Sequence, residues 1–484
     1  MVNLISGKKS FIKFDEQFPV YNWLYPMKGQ DLDVITHQKL FGAVDVSRVR
    51  NRALYFHIPF CETICTFCTL NRGLGAPGDE AIELYVQALI KEIRIKAAYE
   101  SITSRPITAI FFGGGTPTTL TAGQIRRIGA AIHDNFDLSA LEEFTFEMEV
   151  KSIDEEKVVA MRDIGVNKAR FGLQTFDPVY RELFNITATL DQTYEAAELL
   201  KSYFDYTSFD IIYGMHGQTI EQLSTEIQRA VDLGTETIEF YPITNVVTQA
   251  SLHHGYVRRD LQPLSFMTKM AYSVYLNEYI RACGFQQHNG NGFYRVPEGQ
   301  DFASTFVSRD YTNVYNSFFW AHYDDDLIGF GNSAISQTGV YTVMNDENRA
   351  TYTRSLLDHN DFKINVTVAD DIPYEKGIVF RLPYFGWLEK GRVEWDKVPA
   401  EVMTKLGDLI GEGLVVEKDT EYQITELGWL WYVNMMYHLS PASDQRILDD
   451  FVDHKSKIRG ITDGNRAMDL PLLDIGRVPA GVSR

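Results

Sequence analysis

Three of the four cysteines in this chain, Cys61, Cys65 and Cys68, lie within eight residues of one another. Their spacing is Cys-x3-Cys-x2-Cys. Cysteine thiolates bind the irons of iron–sulfur clusters, and a [4Fe-4S] cubane bound by only three cysteines keeps one iron without a protein ligand. A vacant position of this kind is where a substrate binds at catalytic metal sites. The spacing therefore predicts an iron–sulfur centre with an open iron.

Other uses of these thiols are less consistent with the sequence. Zinc sites favour paired Cys-x2-Cys elements with a fourth Cys or His nearby, and the remaining cysteine, Cys283, is far away and belongs to no such pair. His57 is close enough in sequence to be a fourth ligand. A histidine on a strand just before the loop is more often a core residue or a neighbour of the ligands, and we favour that interpretation.

A run of glycines is the second chemical feature. Gly113, Gly114 and Gly115 follow a strand candidate and are followed by Thr116-Pro117-Thr118. Consecutive glycines allow backbone conformations that other residues disfavour and let a ligand approach the main chain. We expect this segment to flank the cysteine loop.

The elements that must position these groups alternate between strands and helices. Ile82, Tyr85, Val86, Leu89 and Ile93 form one helical stripe, and Thr219 with Gln222 predicts a capped helix start. The alternation predicts parallel strands joined by crossovers, in a sheet that closes fully, closes partly or stays open. The strand candidates are Ala53–Ile58, Thr108–Phe112, Glu143–Met148, Ala169–Gln174, Thr207–Tyr213 and Thr237–Tyr241.

Composition limits the classes of function. The 484 residues carry a formal net charge of −19, which disfavours nucleic-acid partners because these require a basic surface. The apolar runs are shorter than a membrane span needs, and residues 1–10 have no signal-peptide pattern. We expect a cytoplasmic protein with no membrane span.

Composition also divides the chain. We expect an N-terminal arm at 1–50 with an aromatic patch, a barrel at 51–285 and a loop-rich, substrate-covering region at 286–370. A winged-helix-like domain is expected at 371–455, and an irregular tail at 456–484. The patch residues are Phe18, Tyr21, Trp23 and Tyr25.

These motifs together resemble the radical S-adenosylmethionine (SAM) superfamily, in the branch of the oxygen-independent coproporphyrinogen oxidases (HemN-like proteins). The resemblance rests on Tyr55-Phe-His-Ile-Pro-Phe-Cys61 with the other two cysteines, on Gly-Gly-Gly-Thr-Pro-Thr, and on the segments at Gly172–Asp177 and Asp210–Thr219. It implies an α/β fold, a partial (β/α)6 TIM-like barrel with a C-terminal winged-helix-like α+β module.

The resemblance also implies the cofactors and the residues that bind them. The three cysteines would bind a [4Fe-4S] cluster, SAM would chelate the open iron, and Gly113–Gly115 would receive the methionyl amino group. One-electron reduction would cleave SAM to a 5′-deoxyadenosyl radical, with a flavodoxin or ferredoxin as electron donor; the family favours a monomer. Further SAM contacts are expected at Tyr55, Phe67, Thr116, Glu147, Gln174 and Asp210, with catalytic roles for Tyr55 and Glu147.

The sequence departs from its relatives at four places. Cys68 is followed by Thr69-Leu70, where the oxidases have Gly-Cys, and Tyr315 replaces a histidine that the haem chaperones use. Ile186 lies where relatives carry a carboxylate-binding arginine, so Arg170, Arg181 or neutral donors would have to serve instead. His216 replaces a proline.

These departures favour a third group in the branch, which uses a second SAM for C-methylation or cyclopropanation of an unsaturated small molecule. We take that as the leading hypothesis. The alternatives are anaerobic tetrapyrrole chemistry, either oxidative decarboxylation of coproporphyrinogen III or methylation and ring opening of haem, and a non-enzymatic haem chaperone.

Overall fold

Six parallel strands form the centre of the molecule. The computed structural model describes residues 23–26, 29–32, 35–68, 71–243, 250–299 and 322–457. Each strand is found at the position expected from the sequence, which confirms the α/β class. The strands are β1 (Asn51–Ile58), β2 (Ala109–Gly114), β3 (Glu143–Glu149), β4 (Lys168–Gln174), β5 (Tyr206–Tyr213) and β6 (Thr237–Pro242).

Helices connect the strands and cover one side of the sheet. The helix Glu80–Ala97 buries the predicted stripe, including Ile82 and Leu89. Thr121, Thr189 and Thr219 each form a capping box at a helix start, as Thr219 and Gln222 predicted. The other helices in this part of the chain are His37–Phe41, Glu100–Thr103, Ala122–Asn135, Glu155–Asp163, Pro178–Leu183, Leu190–Tyr203, Ile220–Asp232, Ala250–Arg258 and Phe266–Ala282, with single turns at Pro117–Thr119 and Val150–Ser152.

The barrel is partial, because β1 and β6 do not pair with each other. Asp325–Phe330 adds to β1 in parallel, and antiparallel strands continue from it. Gly292–Arg295 adds to β6 in the opposite direction. The outer strands are Ile335–Thr338, Tyr341–Asn345, Ile364–Val368 and Gln30–Asp31 on one side, and Phe285–Gln287 on the other.

The loop-rich interpretation of 286–370 differs from the described part of that region. Residues 322–368 contribute four strands to the main sheet, with a helix at Arg349–Arg354 and a π-helical turn at Ser355–His359. Their short apolar runs, such as Leu327–Ile328, are buried only because β1 lies beside them. Residues 300–321, which include Tyr315, lie outside the described residues, as do Thr69 and Leu70.

The C-terminal module is winged-helix-like. Three short antiparallel strands pack with helices around a second apolar core. Two helices, Glu426–Leu430 and Tyr432–Leu439, are separated at Trp431, whose backbone is not helical (φ −121°, ψ 15°). The strands are Trp387–Glu389, Val415–Glu417 and Glu421–Ile424; the helices are Leu382–Phe385, Ala400–Gly411, Glu426–Leu430, Tyr432–Leu439 and Ala442–Lys457, with turns at Gly377–Arg381 and Lys390–Arg392.

Part of the aromatic patch packs on this module. The rings of Trp23 and Tyr25 lie 5.4 and 4.9 Å from the ring of Phe380, centroid to centroid. The Tyr25 hydroxyl donates to Glu375 at 2.5 Å. Phe18, Tyr21 and the tail after residue 457 lie outside the described residues.

None of the helices in the described ranges combines the length and the apolar character that crossing a bilayer requires.

Candidate active site

The cysteine loop follows β1 directly. Cys61 is buried at the end of a two-residue strand, Phe60–Cys61, which pairs with Gly73–Leu74. Cys65 and Cys68 are half-buried. The Arg72 guanidinium donates to the carbonyl oxygens of Cys65 and Cys68, at 3.2 and 2.8 Å. The Arg72 guanidinium therefore joins two points of the cysteine loop.

The thiols are placed where free thiolates are disfavoured. Burial, together with the neighbouring Cys68 and Cys61, raises the pKa of Cys65 to about 12. Burial also raises the pKa of Cys61, although the Thr116 hydroxyl donates to its sulfur at 3.3 Å. The Cys61 and Cys65 thiols therefore need positive charge from a bound metal to ionise together.

The three thiols are not grouped as the ligands of a single metal ion would be. Among the residues that the structure describes, no three His, Cys, Asp or Glu side chains are grouped closely enough to hold one metal ion. A cubane binds its thiolates at three different irons, which places the sulfurs farther apart than the ligands of one zinc ion.

The glycine segment packs directly on the cysteine loop. The Gly115 N–H donates to the carbonyl of Ile58 at 2.8 Å, and the Thr116 N–H donates to that of Phe60 at 2.6 Å. A Cβ atom on Gly115 would lie 2.6 Å from the Phe60 oxygen. Gly114 has φ +107°, and a Cβ there would overlap the His57 ring. Only glycine allows this approach.

Replacing Gly114 by alanine is therefore expected to destabilise the protein by about 2 to 4 kcal/mol, from backbone strain and overlap together. The iron content after reconstitution should fall as well. Gly123→Ala is the matched control, since a Cβ there meets nothing within 4 Å and should change stability by less than about 1 kcal/mol. Equal unfolding midpoints for the two variants would contradict this account of Gly114.

His57 has both ring nitrogens engaged. The Tyr55 hydroxyl and His57 Nδ1 are 2.8 Å apart, and His57 Nε2 is 3.1 Å from the Asn71 carbonyl oxygen. Because that carbonyl only accepts, Nε2 carries the proton and Nδ1 accepts from Tyr55. Burial lowers the pKa of His57 to about 4, so the ring is neutral. His57 thus orients Tyr55 beside the glycine segment.

Charged side chains from four neighbouring strands meet on one side of the sheet. Arg170 forms two hydrogen bonds with Glu239, at 2.9 and 3.2 Å, and contacts Asp210 at 2.7 Å and Glu147 at 3.7 Å. Its guanidinium also donates to the Tyr241 hydroxyl at 2.9 Å. Arg170 and Glu239 are buried, whereas the side chains of Glu147 and Asp210 are 30% and 21% exposed. Two carboxyls therefore remain accessible to a ligand.

These two carboxyls titrate near neutrality. Removal from water raises the pKa of Glu147 to about 7 and that of Asp210 to about 6, against the opposing effect of Arg170. The Gly114 N–H donates to Glu147, so the carboxyl is tied to the glycine segment. A cationic group of a ligand would stabilise the ionised form of both carboxyls.

The pH dependence of the apo-protein follows from these shifts. A carboxyl with a raised pKa in the folded state contributes stability that is complete below its unfolded value and is lost as the pH rises through the folded value. The urea midpoint of the apo-protein is expected to fall between about pH 4.5 and pH 7, and less steeply in Glu147→Gln. The exposed Glu156→Gln serves as control. An unchanged slope in Glu147→Gln would contradict the assignment.

The remaining SAM-contact candidates lie in two different surroundings. Gln174 ends β4 with φ +73°, next to an irregularity in the strand pairing. Such a conformation is costly for a non-glycine residue and is frequent at functional sites. Phe67 packs edge-on against Phe184, with ring centroids 5.0 Å apart, in an apolar cluster with Tyr180 and Met215.

The turn at residues 184–186 holds the cysteine loop. The Asn185 side chain donates to the Ile64 carbonyl at 3.0 Å, and the Thr66 N–H donates to that of Phe184 at 3.1 Å. The guanidinium of Arg181, one of the two candidate replacement cations, donates to the backbone carbonyls of Thr175 and Ala188. Arg170 is enclosed by carboxylates. His216, the other departure, stacks on Tyr256 at 4.3 Å.

Sequence reasoning missed a cation beside the loop. Lys151 Nζ donates to the hydroxyls of Thr63 and Thr187, at 2.7 and 3.1 Å, and lies 3.8 Å from Glu62. Glu149, two residues from Glu147 on β3, was missed too; burial raises its pKa to about 7, and its charge acts on Cys61 and Cys65. The spacing Glu147-x-Glu149 was a usable signal, since alternate strand residues share a face.

The fold matches a solved structure over most of its length. Coproporphyrinogen III oxidase (HemN) from Escherichia coli superposes with a TM-score of 0.71 at 23% identity, covering 87% of this chain and 97% of that one. Residues 55–230 match the model of the radical SAM superfamily.

Three relatives extend the comparison. The heme chaperone HemW of Lactococcus lactis subsp. lactis is 30% identical over 282 residues, 58% of this chain and 68% of the chaperone. Anaerobilin synthase of Escherichia coli O157:H7 is 26% identical over 406 residues, 81% of this chain and 84% of the synthase. The oxygen-independent coproporphyrinogen III oxidase of Escherichia coli K12 is 25% identical over 439 residues, covering 87% and 92%. The chain therefore belongs to the radical SAM superfamily, in its HemN-like branch.

Proposed function

We propose that this radical SAM enzyme binds its [4Fe-4S] cluster through Cys61, Cys65 and Cys68 and cleaves SAM at the iron without a cysteine ligand. The observation that carries the proposal is the packing of the glycine segment on the cysteine loop, through Gly115 to Ile58 and Thr116 to Phe60. A backbone that tolerates close approach therefore lies beside the loop that carries the three thiols.

The chain's own groups would hold SAM around that position. Glu147 and Asp210 are partly exposed carboxyls that suit the cationic groups of SAM. Tyr55, oriented by His57, flanks the same segment, and Gln174 at the end of β4 offers an amide. Thr116 holds Cys61 through its hydroxyl. Phe67 adds an apolar surface.

When bound, the cluster and SAM would supply one-electron chemistry that removes a hydrogen atom from the substrate, with Cys61, Cys65 and Cys68 holding the cluster. The role of the protein is to orient SAM and substrate and to keep the radical from other partners. The described half-barrel provides the wall of the site.

We infer a tetrapyrrole as the substrate class. Two relatives that match four fifths of this chain or more are a coproporphyrinogen III oxidase and anaerobilin synthase, and the 30% identical relative is a heme chaperone. This changes the order of the hypotheses, because none of these three relatives carries the name of a methyltransferase or cyclopropanase.

C-methylation or cyclopropanation with a second SAM remains the second candidate. It is favoured by the residues after Cys68, where Thr69-Leu70 replaces the Gly-Cys of the oxidases. Binding a second SAM would require a further group that pairs with the carboxylate of that SAM. Ile186 lies where relatives carry a carboxylate-binding arginine.

Product analysis separates the two candidates. The reconstituted, reduced enzyme is incubated anaerobically with SAM and with either coproporphyrinogen III or haem, and 5′-deoxyadenosine and S-adenosylhomocysteine are quantified. Tetrapyrrole chemistry predicts substrate-dependent release of 5′-deoxyadenosine. If S-adenosylhomocysteine and a methylated tetrapyrrole both form, the two candidates describe the same reaction. If neither tetrapyrrole stimulates the release of 5′-deoxyadenosine, the substrate class is rejected. A retained haem without any SAM cleavage would indicate a chaperone.

Lys151 is our proposed replacement for the missing arginine. Its ammonium joins the cysteine loop at Thr63 to the turn at Thr187, and its side chain is 19% exposed. Lys151→Met should raise the Kd for SAM about tenfold, as expected for losing one charge-assisted hydrogen bond. Lys151→Arg should restore binding. Unchanged SAM affinity in Lys151→Met, measured by equilibrium dialysis at full iron content, would contradict the role.

A further inference from the structure

Gln174, the last residue of β4, is the centre of a tight turn. The Thr175 N–H donates to the Leu173 carbonyl at 3.0 Å, and Gln174 has φ +73°. A three-residue turn whose central residue has a positive φ is rare and strained. Such strain persists only where the surrounding structure holds the backbone in place. Groups outside the turn must therefore fix it.

The turn brings the side chain of Gln174 to the carboxyl cluster of the site. A Cβ atom on Gly172 would lie 2.6 Å from Gln174 Nε2, so the amide folds over the Gly172 backbone. Gly172 lies two residues after Arg170 on β4 and pairs with Asp210 of β5. Because alternate residues of a strand share a face, the Gln174 amide lies on the same side of the sheet as Arg170.

A buried carboxylate of a neighbouring helix binds the residues that follow Gln174. Glu226 belongs to the helix Ile220–Asp232 and is 3% exposed. It accepts hydrogen bonds from the Thr175 hydroxyl and from the N–H groups of Phe176 and Asp177, each at 2.9 Å. A buried carboxylate is costly unless donors surround it, and hydrogen bonds to a charged group are stronger than neutral ones. The carboxylate and these three donors therefore fix one another.

A buried guanidinium binds the carbonyl groups of the same turn. Arg181 is 7% exposed and donates to the Thr175 carbonyl at 2.9 Å and to the Leu173 carbonyl at 3.5 Å. Glu226 and Arg181 thus hold the backbone around Gln174 through its donors and through its acceptors. These contacts do not involve the side-chain amide of Gln174.

We propose that Glu226 is a positioning residue for SAM, which holds the strained turn so that Gln174 presents its amide to the cofactor. The proposal rests on the proposed function, in which Gln174 contacts SAM. The Glu226 carboxylate is surrounded by the three donors of the turn, so it acts through Gln174 and does not touch the cofactor. Without its negative charge the backbone would relax from the strained conformation, and the amide would move away.

Two single variants and their combination test whether Glu226 acts through Gln174. Glu226→Gln keeps the size of the side chain but replaces one acceptor oxygen by a donor, and Gln174→Ala removes the amide. The Kd for SAM is measured by equilibrium dialysis on reconstituted protein of equal iron content. The pH is 8, above the pKa of about 7 that burial gives Glu226. Glu221→Gln, at an exposed residue of the same helix, is the matched control.

We expect Glu226→Gln and Gln174→Ala each to raise the Kd for SAM about tenfold. The double variant should bind SAM no more weakly than Gln174→Ala, because a residue that acts through another has no effect once that one is removed. Glu221→Gln should resemble the unmodified protein. An unchanged Kd in either single variant would overturn the proposal, and so would a loss of about a hundredfold in the double variant.

Hydrogen exchange of the protein without SAM measures the turn itself. Glu226→Gln should speed exchange at the amides of Phe176 and Asp177 about tenfold, with exchange outside the turn unchanged. If Glu226→Gln does not fold, Thr175→Val removes one of the three hydrogen bonds and should change the exchange rate and the Kd about threefold. If the unmodified protein binds no SAM while exchange still depends on Glu226, the proposed function fails and the holding of the turn stands. Exchange that is equal in Glu226→Gln and the unmodified protein would overturn the role of Glu226.

Discussion

Cys65→Ala is expected to lose its cluster and to release 5′-deoxyadenosine only at background level. A cubane held by two thiolates has two irons without protein ligands, and the half-buried loop offers no substitute, since His57 is engaged at both nitrogens. Iron and sulfide content, the visible absorption of the cluster and 5′-deoxyadenosine release measure the effect. Cys61→Ala and Cys68→Ala should behave in the same way.

Cys283→Ala is the control for this prediction. Cys283 follows the helix Phe266–Ala282 and packs on the apolar core, away from the loop. The variant should keep full iron content and activity. If Cys65→Ala retained a cluster of four irons and cleaved SAM, or if Cys283→Ala lost both, the ligand assignment would be wrong.

Arg170→Met is expected to destabilise the protein by about 3 to 5 kcal/mol at pH 8. It removes the cation shared by Glu239, Asp210 and Glu147 and leaves the buried Glu239 carboxylate without a positive charge, which is the costly way to break a buried ion pair. The loss should be smaller at pH 5.5, where the carboxyls bind protons. Urea unfolding of the apo-protein at the two pH values measures both effects.

Arg126→Met is the matched arginine control. Arg126 pairs with Asp163 at 2.8 Å, but both side chains are largely exposed, and such pairs contribute less than about 1 kcal/mol. A loss below about 1 kcal/mol in Arg170→Met, or one that does not depend on pH, would mean that the carboxyls find other partners.

The sequence alone was sufficient to predict the six strands and the groups that short-range spacing identifies, namely the thiols and the glycines. The six strands of the barrel are apolar runs bounded by capped helices, and the thiols and glycines lie within single short segments. Local patterns of this kind predict structure because they depend on residues that are close in sequence.

The remaining contacts of the site depend on which strands pair and on the register of that pairing. Arg170 meets Glu147 because β3 and β4 align those residues, and Asp210 meets Glu239 through β5 and β6. No local pattern contains that register. Residues 325–368 were missed as strands for the same reason, and Lys151 became relevant only when its contacts to Thr63 and Thr187 were seen.

The central claim is that three thiolates leave one iron of the cluster for SAM. Electron paramagnetic resonance of the reduced, reconstituted protein, recorded before and after SAM is added, tests it most directly. The account predicts the signal of a reduced [4Fe-4S] cluster that changes when SAM binds and changes further with SAM labelled at its amino nitrogen or carboxylate oxygens. A cluster signal that SAM leaves unaltered, or reconstituted protein with zinc and no cluster signal, would contradict it.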